Sequence, residues 1–200
     1  TGGSISYRPE VTSGPNVLKI GQNNPIQAAT VRFTNQRDTQ VDGVRVNAGQ
    51  TTILRNTNAS SLLNGNPTSG NANITNSGTL VLSAEGAVGS LNAPLRIQGN
   101  EVSVSGATDI FLNLSPLSPS TSVDLQGVDP AYLATSLASL ASTAGSNPEN
   151  IQVTDLITLE VTGDLNLNSS LYAENGVAIT TTGSLNLNQS VGTGRNVLLE

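Results

Sequence analysis

The sequence predicts an all-β chain that winds into a parallel β-helix, a solenoid whose single turns, or coils, take about 20–25 residues each. Three observations predict this fold: a repeat of twenty residues, strands in which apolar and polar residues alternate, and a supply of small core side chains. Of the 200 residues, 36% are hydrophobic and only 2% are aromatic. Small aliphatic side chains fill a thin, continuous core more readily than a wide globular interior.

The repeat is clearest at the carboxyl-terminal end. Residues 161–180 align without gaps on residues 181–200. In the shared Leu-Asn-Leu-Asn segment, leucine recurs at every second residue, which is typical of a strand with one buried face. One unit cannot bury that face alone, so we expect successive units to stack with their strands in parallel.

When the repeats stack, equivalent side chains of successive coils lie above one another and form a structural ladder. We expect the leucines to form a buried column and the asparagines to form amide ladders, in which each side chain donates a hydrogen bond to the next coil. The predicted ladder residues are Leu165, Leu167, Leu185, Leu187, Asn166, Asn168, Asn186 and Asn188. We therefore expect Leu167→Asp to cost several kcal/mol and Asn166→Asp to have a mild effect.

The chain divides into three parts of one continuous solenoid domain, which we expect to be an excerpt of a longer chain. Residues 1–114 predict irregular coils, with longer loops at 34–40 and 56–73. Residues 115–150 predict a loop and a short helical insertion, which opens with an extended Ser-Pro-rich segment over 115–119. Residues 151–200 predict regular coils of twenty residues.

The insertion contains the signals of one helix of about 13 residues. Asp129 is the predicted N-cap, Pro130 occupies the first turn, and Gly145 follows the last turn. The leucines at helical spacing are Leu133, Leu137 and Leu140. We expect this leucine stripe to lie on the flank of the solenoid.

Composition excludes several kinds of chemistry. The chain has no cysteine and no histidine, which excludes disulfides, Ser-His and Cys-His nucleophile pairs and zinc sites built on these residues. A formal net charge of -6 opposes nonspecific nucleic-acid binding. No stretch reaches the ~18 consecutive apolar residues of a membrane span. The sequence thus predicts a noncatalytic protein with no cofactor, no bound metal, no nucleic-acid partner and no membrane insertion.

Two sets of charged residues offer alternatives. Polysaccharide-degrading enzymes with this fold carry clustered carboxylates, and the candidates are Asp155, Glu160, Asp164 and Glu174. In a twenty-residue register these acids lie over Asn, Thr, Ser and Gly, so we expect no column of acids.

A basic stripe for acidic polysaccharides would use Arg32, Arg45 and Arg55. Their spacings of thirteen and ten residues do not match the repeat, which favours ordinary surface pairing with nearby carboxylates.

Residues 78–97, which read Gly-Thr-Leu-Val-Leu and then Val-Gly-Ser-Leu-Asn-Ala-Pro-Leu-Arg-Ile, resemble the repeats of filamentous haemagglutinin-like adhesins. The Gly-x-Leu-x-Leu strands at 163–167 and 183–187 match the same family. The likeness covers roughly residues 71–114 and 151–200. It implies a right-handed parallel β-helix within a very large exoprotein that a partner pore exports through the outer membrane of a Gram-negative cell by two-partner secretion.

Together, these features predict a noncatalytic structural or adhesive segment of a large β-helical adhesin, located outside the cell or on the bacterial cell surface. The expected partners are neighbouring coils of the parent chain, a host or cell-surface glycan or protein, and the export pore. The alternatives are a polysaccharide-degrading β-helix enzyme and a self-assembling sheath or filament subunit that associates end to end.

Overall fold

The computed structural model describes residues 4–7, 16–18, 26–134 and 148–200, which form twenty strands and one short helix. The first ten strands are β1 (Ser4–Tyr7), β2 (Asn16–Leu18), β3 (Ile26–Asn35), β4 (Thr39–Val41), β5 (Val44–Asn56), β6 (Leu62–Asn64), β7 (Ile74–Asn76), β8 (Thr79–Ala84), β9 (Leu95–Gln98) and β10 (Glu101–Ser105). The last ten are β11 (Ile110–Ser115), β12 (Val123–Gly127), β13 (Ile151–Val153), β14 (Leu156–Val161), β15 (Leu165–Leu167), β16 (Leu171–Ala173), β17 (Gly176–Thr181), β18 (Leu185–Leu187), β19 (Val191–Thr193) and β20 (Asn196–Leu199). The helix α1 spans Pro130–Ala134.

The strands form three columns, and each strand pairs in parallel with strands of the neighbouring passes of the chain. Column 1 contains β1, β3, β5, β8, β10, β12, β15 and β18. Column 2 contains β2, β4 and β6 and, further along the chain, β13, β16 and β19. Column 3 contains β7, β9, β11, β14, β17 and β20. The long strands β3 and β5 turn a corner, since their first residues pair in column 3 and their last residues in column 1.

The register confirms the repeat that the sequence predicts. Every strand pairing within residues 151–200 joins residues that are twenty apart. Within residues 165–199 the chain visits columns 1, 2 and 3 in that order and then visits them again. The protein is therefore an all-β chain of parallel sheets.

The core lies between the three columns, where inward side chains from β3 onward stack on their equivalents in the next pass of the chain. One such row in column 1 runs from Leu80 through Val102 and Leu125 to Leu167, and each of these side chains is at most 1% exposed. Equivalent rows in columns 2 and 3 complete a single apolar cluster. Because adjacent strands lie ~4.8 Å apart, aliphatic side chains in such a row touch without gaps.

Three strands lie in ranges that the sequence predicted to be loops or an insertion. Strands β4 and β6 lie in or overlap the ranges 34–40 and 56–73 that were expected to be loops. Each has only three residues, and unlike the equally short β15 and β18 neither belongs to the twenty-residue repeat. Strand β12 lies inside the range 115–150 and pairs with both β10 and β15, so the sheet continues through the first part of the predicted insertion.

The Ser-Pro-rich segment over 115–119 is extended at Ser115, the last residue of β11, and then enters a turn. The backbone N–H of Thr121 donates a hydrogen bond to the carbonyl oxygen of Ser118 at 3.1 Å. This bond closes a β-turn with Pro119 at its second position, where the fixed φ of proline fits the turn geometry. This turn lies between β11 and β12.

The helix begins as predicted. The carboxylate oxygen Oδ1 of Asp129 accepts a hydrogen bond from the backbone N–H of Ala131 at 2.8 Å, which is the contact of an N-cap residue. The rest of the predicted helix, with Leu137, Leu140 and Gly145, lies outside the described residues. No helix within the described ranges is both long enough and apolar enough to cross a lipid bilayer.

The described turn of α1 packs on the outer face of column 1. Tyr132 is 3% exposed and forms a second apolar cluster with Ile53, Val81 and Val128, against which Leu133 also packs. Ile53 and Val81 are paired neighbours in column 1 whose side chains point away from the main core. The helix thus covers two apolar side chains that would otherwise face water, which confirms the predicted location of Leu133.

Candidate functional site

The predicted amide ladders are present between β15 and β18. Leu165, Asn166 and Leu167 pair in register with Leu185, Asn186 and Leu187. The Nδ2 atom of Asn186 donates to Oδ1 of Asn166 at 2.8 Å. In the same way, Nδ2 of Asn188 donates to Oδ1 of Asn168 at 2.9 Å. These bonds join successive passes of the chain outside the core.

The leucines of the ladder are buried on β15 and partly exposed on β18. Leu165 and Leu167 are completely buried. Leu187 is 41% exposed, and Leu185 is only partly buried. The difference arises because β15 has strands on both sides, β12 and β18, whereas β18 pairs with β15 alone among the described strands.

The asparagine ladder ends on a carboxylate that the sequence pattern did not reveal. The Nδ2 atom of Asn166 donates to Oδ1 of Asp124 at 2.6 Å and also to Oγ of Ser122 at 3.0 Å. Glu101 pairs with Asp124, which is 23 residues further along the chain. Asp124 pairs with Asn166, which is 42 residues further along, because the insertion lies between these two strands. The fixed period of twenty residues could not have found this partner.

This contact changes the effect that we expect of Asn166→Asp. The substitution places a second carboxylate opposite Asp124 and removes a donor, so we expect a loss of about 1 kcal/mol at pH 7 instead of the mild effect expected from an outward side chain. Urea unfolding measures this loss. Asn188→Asp is the matched control, because Asn188 stacks on an amide; equal losses would contradict the prediction.

The four candidate carboxylates do not come together. Asp155 accepts a hydrogen bond from Nδ2 of Asn175 at 2.7 Å, and Asp164 accepts one from the backbone N–H of Ser184 at 2.7 Å. Glu160 pairs in register with Thr180. Glu174 is exposed in the turn that precedes β17. The predicted stacking of acids on neutral residues is confirmed within the twenty-residue repeats.

Two acidic residues, Asp109 and Asp155, lie near each other across the insertion. Burial raises the pKa of Asp109 above its ordinary value, a hydrogen bond from the backbone N–H of Leu156 at 3.2 Å opposes this rise, and the nearby charge of Asp155 adds to it. The two aspartates are 46 residues apart in sequence, which is why the regular period did not connect them. Each accepts a hydrogen bond from the following pass of the chain, as expected of turn residues.

The raised pKa of Asp109 predicts a pH dependence of stability. The folded state binds the proton of this carboxyl group more tightly than the unfolded chain does, so the group stabilises the fold increasingly as pH falls through its raised pKa. We expect Asp109→Asn to be more stable than the parent at pH 7 and to lose this advantage on acidification. Parallel urea titrations measure the difference, with Glu174→Gln as the exposed control. An advantage that grows on acidification would contradict the assignment.

The three arginines do not form one stripe. Arg45 pairs in register with Thr75 in column 3, whereas Arg32 and Arg55 belong to column 1. Burial, followed by the nearby charge of Arg55, lowers the pKa of Arg32. Arg32 also donates from Nη2 to the carbonyl oxygen of Tyr132 at 2.7 Å, so it helps to hold α1 on the sheet.

A groove with both polar and apolar lining lies on the outer face of column 3 and has a volume of about 450 Å³. Its floor is a row of four side chains in register on adjacent strands: Arg96 on β9, Asn113 on β11, Glu160 on β14 and Thr180 on β17. Only Glu160 was a candidate from the sequence. The offsets of 17 and 47 residues that bring Arg96, Asn113 and Glu160 together are irregular, and no sequence signal predicts them.

One wall of this groove is held in place by Arg96. Its Nε atom donates to the carbonyl oxygen of Asn71 at 3.0 Å, and its Nη2 atom donates to that of Asn66 at 2.6 Å. The segment between these residues contains Gly70, which lines the groove. On the floor, Oδ1 of Asn113 is buried and has no hydrogen-bond partner in the described structure. The groove therefore combines a fixed wall with an unsatisfied acceptor.

The fold and these contacts define an all-β protein of parallel sheets with side-chain ladders on its outer faces. Comparison with protein-family models, with curated proteins and with solved structures finds no match for this chain.

Proposed function

We propose that the chain is a right-handed parallel β-helix that serves as a noncatalytic structural or adhesive segment of a large bacterial surface protein. The observation that carries the proposal is the twenty-residue register, which recurs in all three columns of residues 151–200. Parallel strands of one sheet are almost always joined by right-handed connections. A fold of this kind grows along one axis by adding coils and thereby builds a long, stiff body.

The segment that resembles filamentous haemagglutinin-like adhesins supports this assignment. Its first strand is β8, and its Pro-Leu-Arg-Ile sequence enters β9. Between them, Gly89 adopts a positive φ of 78°, which explains the glycine of the Val-Gly-Ser turn. We propose a location outside the cell or on the bacterial cell surface, and partners that include neighbouring coils of the parent chain, a host or cell-surface glycan or protein, and an outer-membrane export pore.

Duplication of a repeat tests the solenoid. Insertion of four further copies of residues 161–180 after Thr180 should lengthen the particle by ~19 Å, because each added coil contributes one strand spacing of ~4.8 Å. Small-angle X-ray scattering should show this growth in the longest dimension at constant cross-section. An insert of the same composition in scrambled order is the control. Growth in all dimensions with the intact repeat would contradict the β-helix.

Attachment tests the function. Microspheres coated with the purified chain should adhere to host epithelial cells, and antibodies against the chain should label intact cells of the producing bacterium. Microspheres coated with Leu167→Asp, a substitution in the core row, are the control for a folded surface. Adhesion equal to that of uncoated microspheres, together with no labelling of intact cells, would contradict the proposal.

A polysaccharide-degrading enzyme is the second candidate, and the neighbouring pair Asp109 and Asp155 is the observation that favours it. Paired carboxylates are the groups that glycoside hydrolysis uses. A panel of polysaccharides incubated with the chain should release no reducing ends if the first proposal holds. Release that is lost in Asp155→Asn would support the enzyme instead.

A self-assembling filament subunit is the third candidate. The observation that favours it is the exposure of apolar side chains on β18 and β20, where Leu198 is 50% exposed and Leu187 is 41% exposed. Such surfaces bind other apolar surfaces. Concentration-dependent fibres in negative-stain electron microscopy would support this candidate, and a monomer at all concentrations would exclude it.

A further inference from the structure

We infer that the groove on the outer face of column 3 binds an uncharged oligosaccharide. The inference rests on the proposed adhesive function and names the class of ligand for it. The site consists of the floor row Arg96, Asn113, Glu160 and Thr180, together with the wall that contains Gly70 and the rim residue Thr182.

The floor is a rigid row of hydrogen-bonding groups at regular spacing. Arg96 pairs with Asn113, Asn113 with Glu160, and Glu160 with Thr180, on four adjacent parallel strands. The strand spacing sets these groups ~4.8 Å apart, so that the row is roughly 14 Å long. Backbone hydrogen bonds hold the strands, and a ligand therefore finds the row already in position. A row of this length suits several units of an oligosaccharide.

The chemistry of the floor calls for a ligand that donates hydrogen bonds. The Oδ1 atom of Asn113 is buried without a partner, and an unsatisfied buried acceptor is costly. The carboxylate of Glu160 makes no hydrogen bond or ion pair within the part of the chain that the structure describes. Sugar hydroxyl groups donate to both kinds of acceptor and accept in turn from the threonine hydroxyl groups.

The charges favour an uncharged sugar over an acidic one. Glu160 lies in the middle of the row, where it repels a carboxylate or sulfate group. The Arg96 guanidinium is the positive charge of the floor, and two of its donors are already bound to the carbonyl oxygens of Asn66 and Asn71. Arg96 therefore shapes the groove and has few donors left for an acidic ligand.

The topology disfavours an extended peptide as ligand. A peptide that adds to a sheet needs an open strand edge, but β9, β11, β14 and β17 each have a paired strand on both sides. Side chains on one face of an extended peptide also recur every ~6.8 Å, which does not match the spacing of the floor groups. Neither objection applies to an oligosaccharide.

Nuclear magnetic resonance of the folded chain labelled with ¹⁵N tests the inference. The probes are neutral cello-, xylo- and manno-oligosaccharides of four to six units, compared with galacturonate and heparin oligosaccharides of the same lengths. We expect a neutral probe to shift the side-chain amide of Asn113 and the backbone amides of Thr180 and Thr182. The dissociation constant should be on the order of 1 mM, because none of the described residues that line the site is aromatic.

Two matched variants locate the site. We expect Glu160→Ala to weaken binding at least about fivefold, whereas Glu174→Ala, which removes an exposed acid outside the groove, should leave it unchanged. Equal effects of the two variants, tighter binding of the acidic probes, or no shift at concentrations tenfold above the expected constant would overturn the inference. The repeat-duplication and attachment experiments do not use this groove variant, so their failure is distinguishable from failure of the ligand assignment.

Discussion

Leu167→Asp should unfold the protein or lower its free energy of unfolding by about 4 kcal/mol or more. Leu167 is completely buried and stacks directly between Leu125 and Leu187 in column 1. A carboxylate at this position loses its water and gains no partner in a row of aliphatic side chains. Urea unfolding followed by circular dichroism measures the change.

Leu187→Asp is the matched control for this substitution. It makes the same chemical change in the same row, but Leu187 is 41% exposed and the new carboxylate can stay hydrated. We expect a loss below about 1 kcal/mol. If the two variants lost equal stability, the row would not be the common core that its burial indicates.

Gly89→Ala should lower the free energy of unfolding by about 2–4 kcal/mol. Two costs add here: the positive φ of Gly89 disfavours any side chain, and a Cβ atom would overlap the backbone carbonyl oxygen of Phe111 in the next pass of the chain. The backbone nitrogen of Leu95, 3.0 Å from the same position, blocks a shift in another direction. Thermal and urea unfolding both measure the loss.

Gly70→Ala controls for the loss of glycine itself. A Cβ atom at this position meets no atom within 4 Å, and the residue has no positive φ. We expect little change or a slight gain in stability, because alanine reduces the conformational entropy of the unfolded chain. A large loss in Gly70→Ala, or none in Gly89→Ala, would contradict the assignment of close approach to the Val-Gly-Ser turn.

The strength of sequence reasoning varied along the chain with the regularity of the repeat. The pairing of Leu165 with Leu185 and the amide contact of Asn166 with Asn186 were predictable, because equal spacing places equal side chains above one another. Strands β4 and β6 were missed, since each is only three residues long and, unlike β15 and β18, lies outside the twenty-residue repeat. Strand β12 was missed because it lies between a Ser-Pro-rich turn and a helix, in a range that lacks the repeat.

The candidate site was less predictable than the fold. Glu160 was recognised as a possible functional carboxylate, but its neighbours Arg96 and Asn113 were not. These residues are brought together by offsets of 17 and 47 residues, which depend on the lengths of loops and of the insertion. The proximity of Asp109 to Asp155 has the same origin.

The order of amino acids alone was enough to establish parallel stacking, the period of twenty residues and the inward face of each repeated strand. These properties follow from local alternation and from a repeat that recurs at constant length, both of which are visible without coordinates. Only the tertiary structure decided which residues meet where successive passes of the chain differ in length. Loop lengths set the register between distant passes, and the burial of β15 but not β18 depends on how many strands pack around each of them.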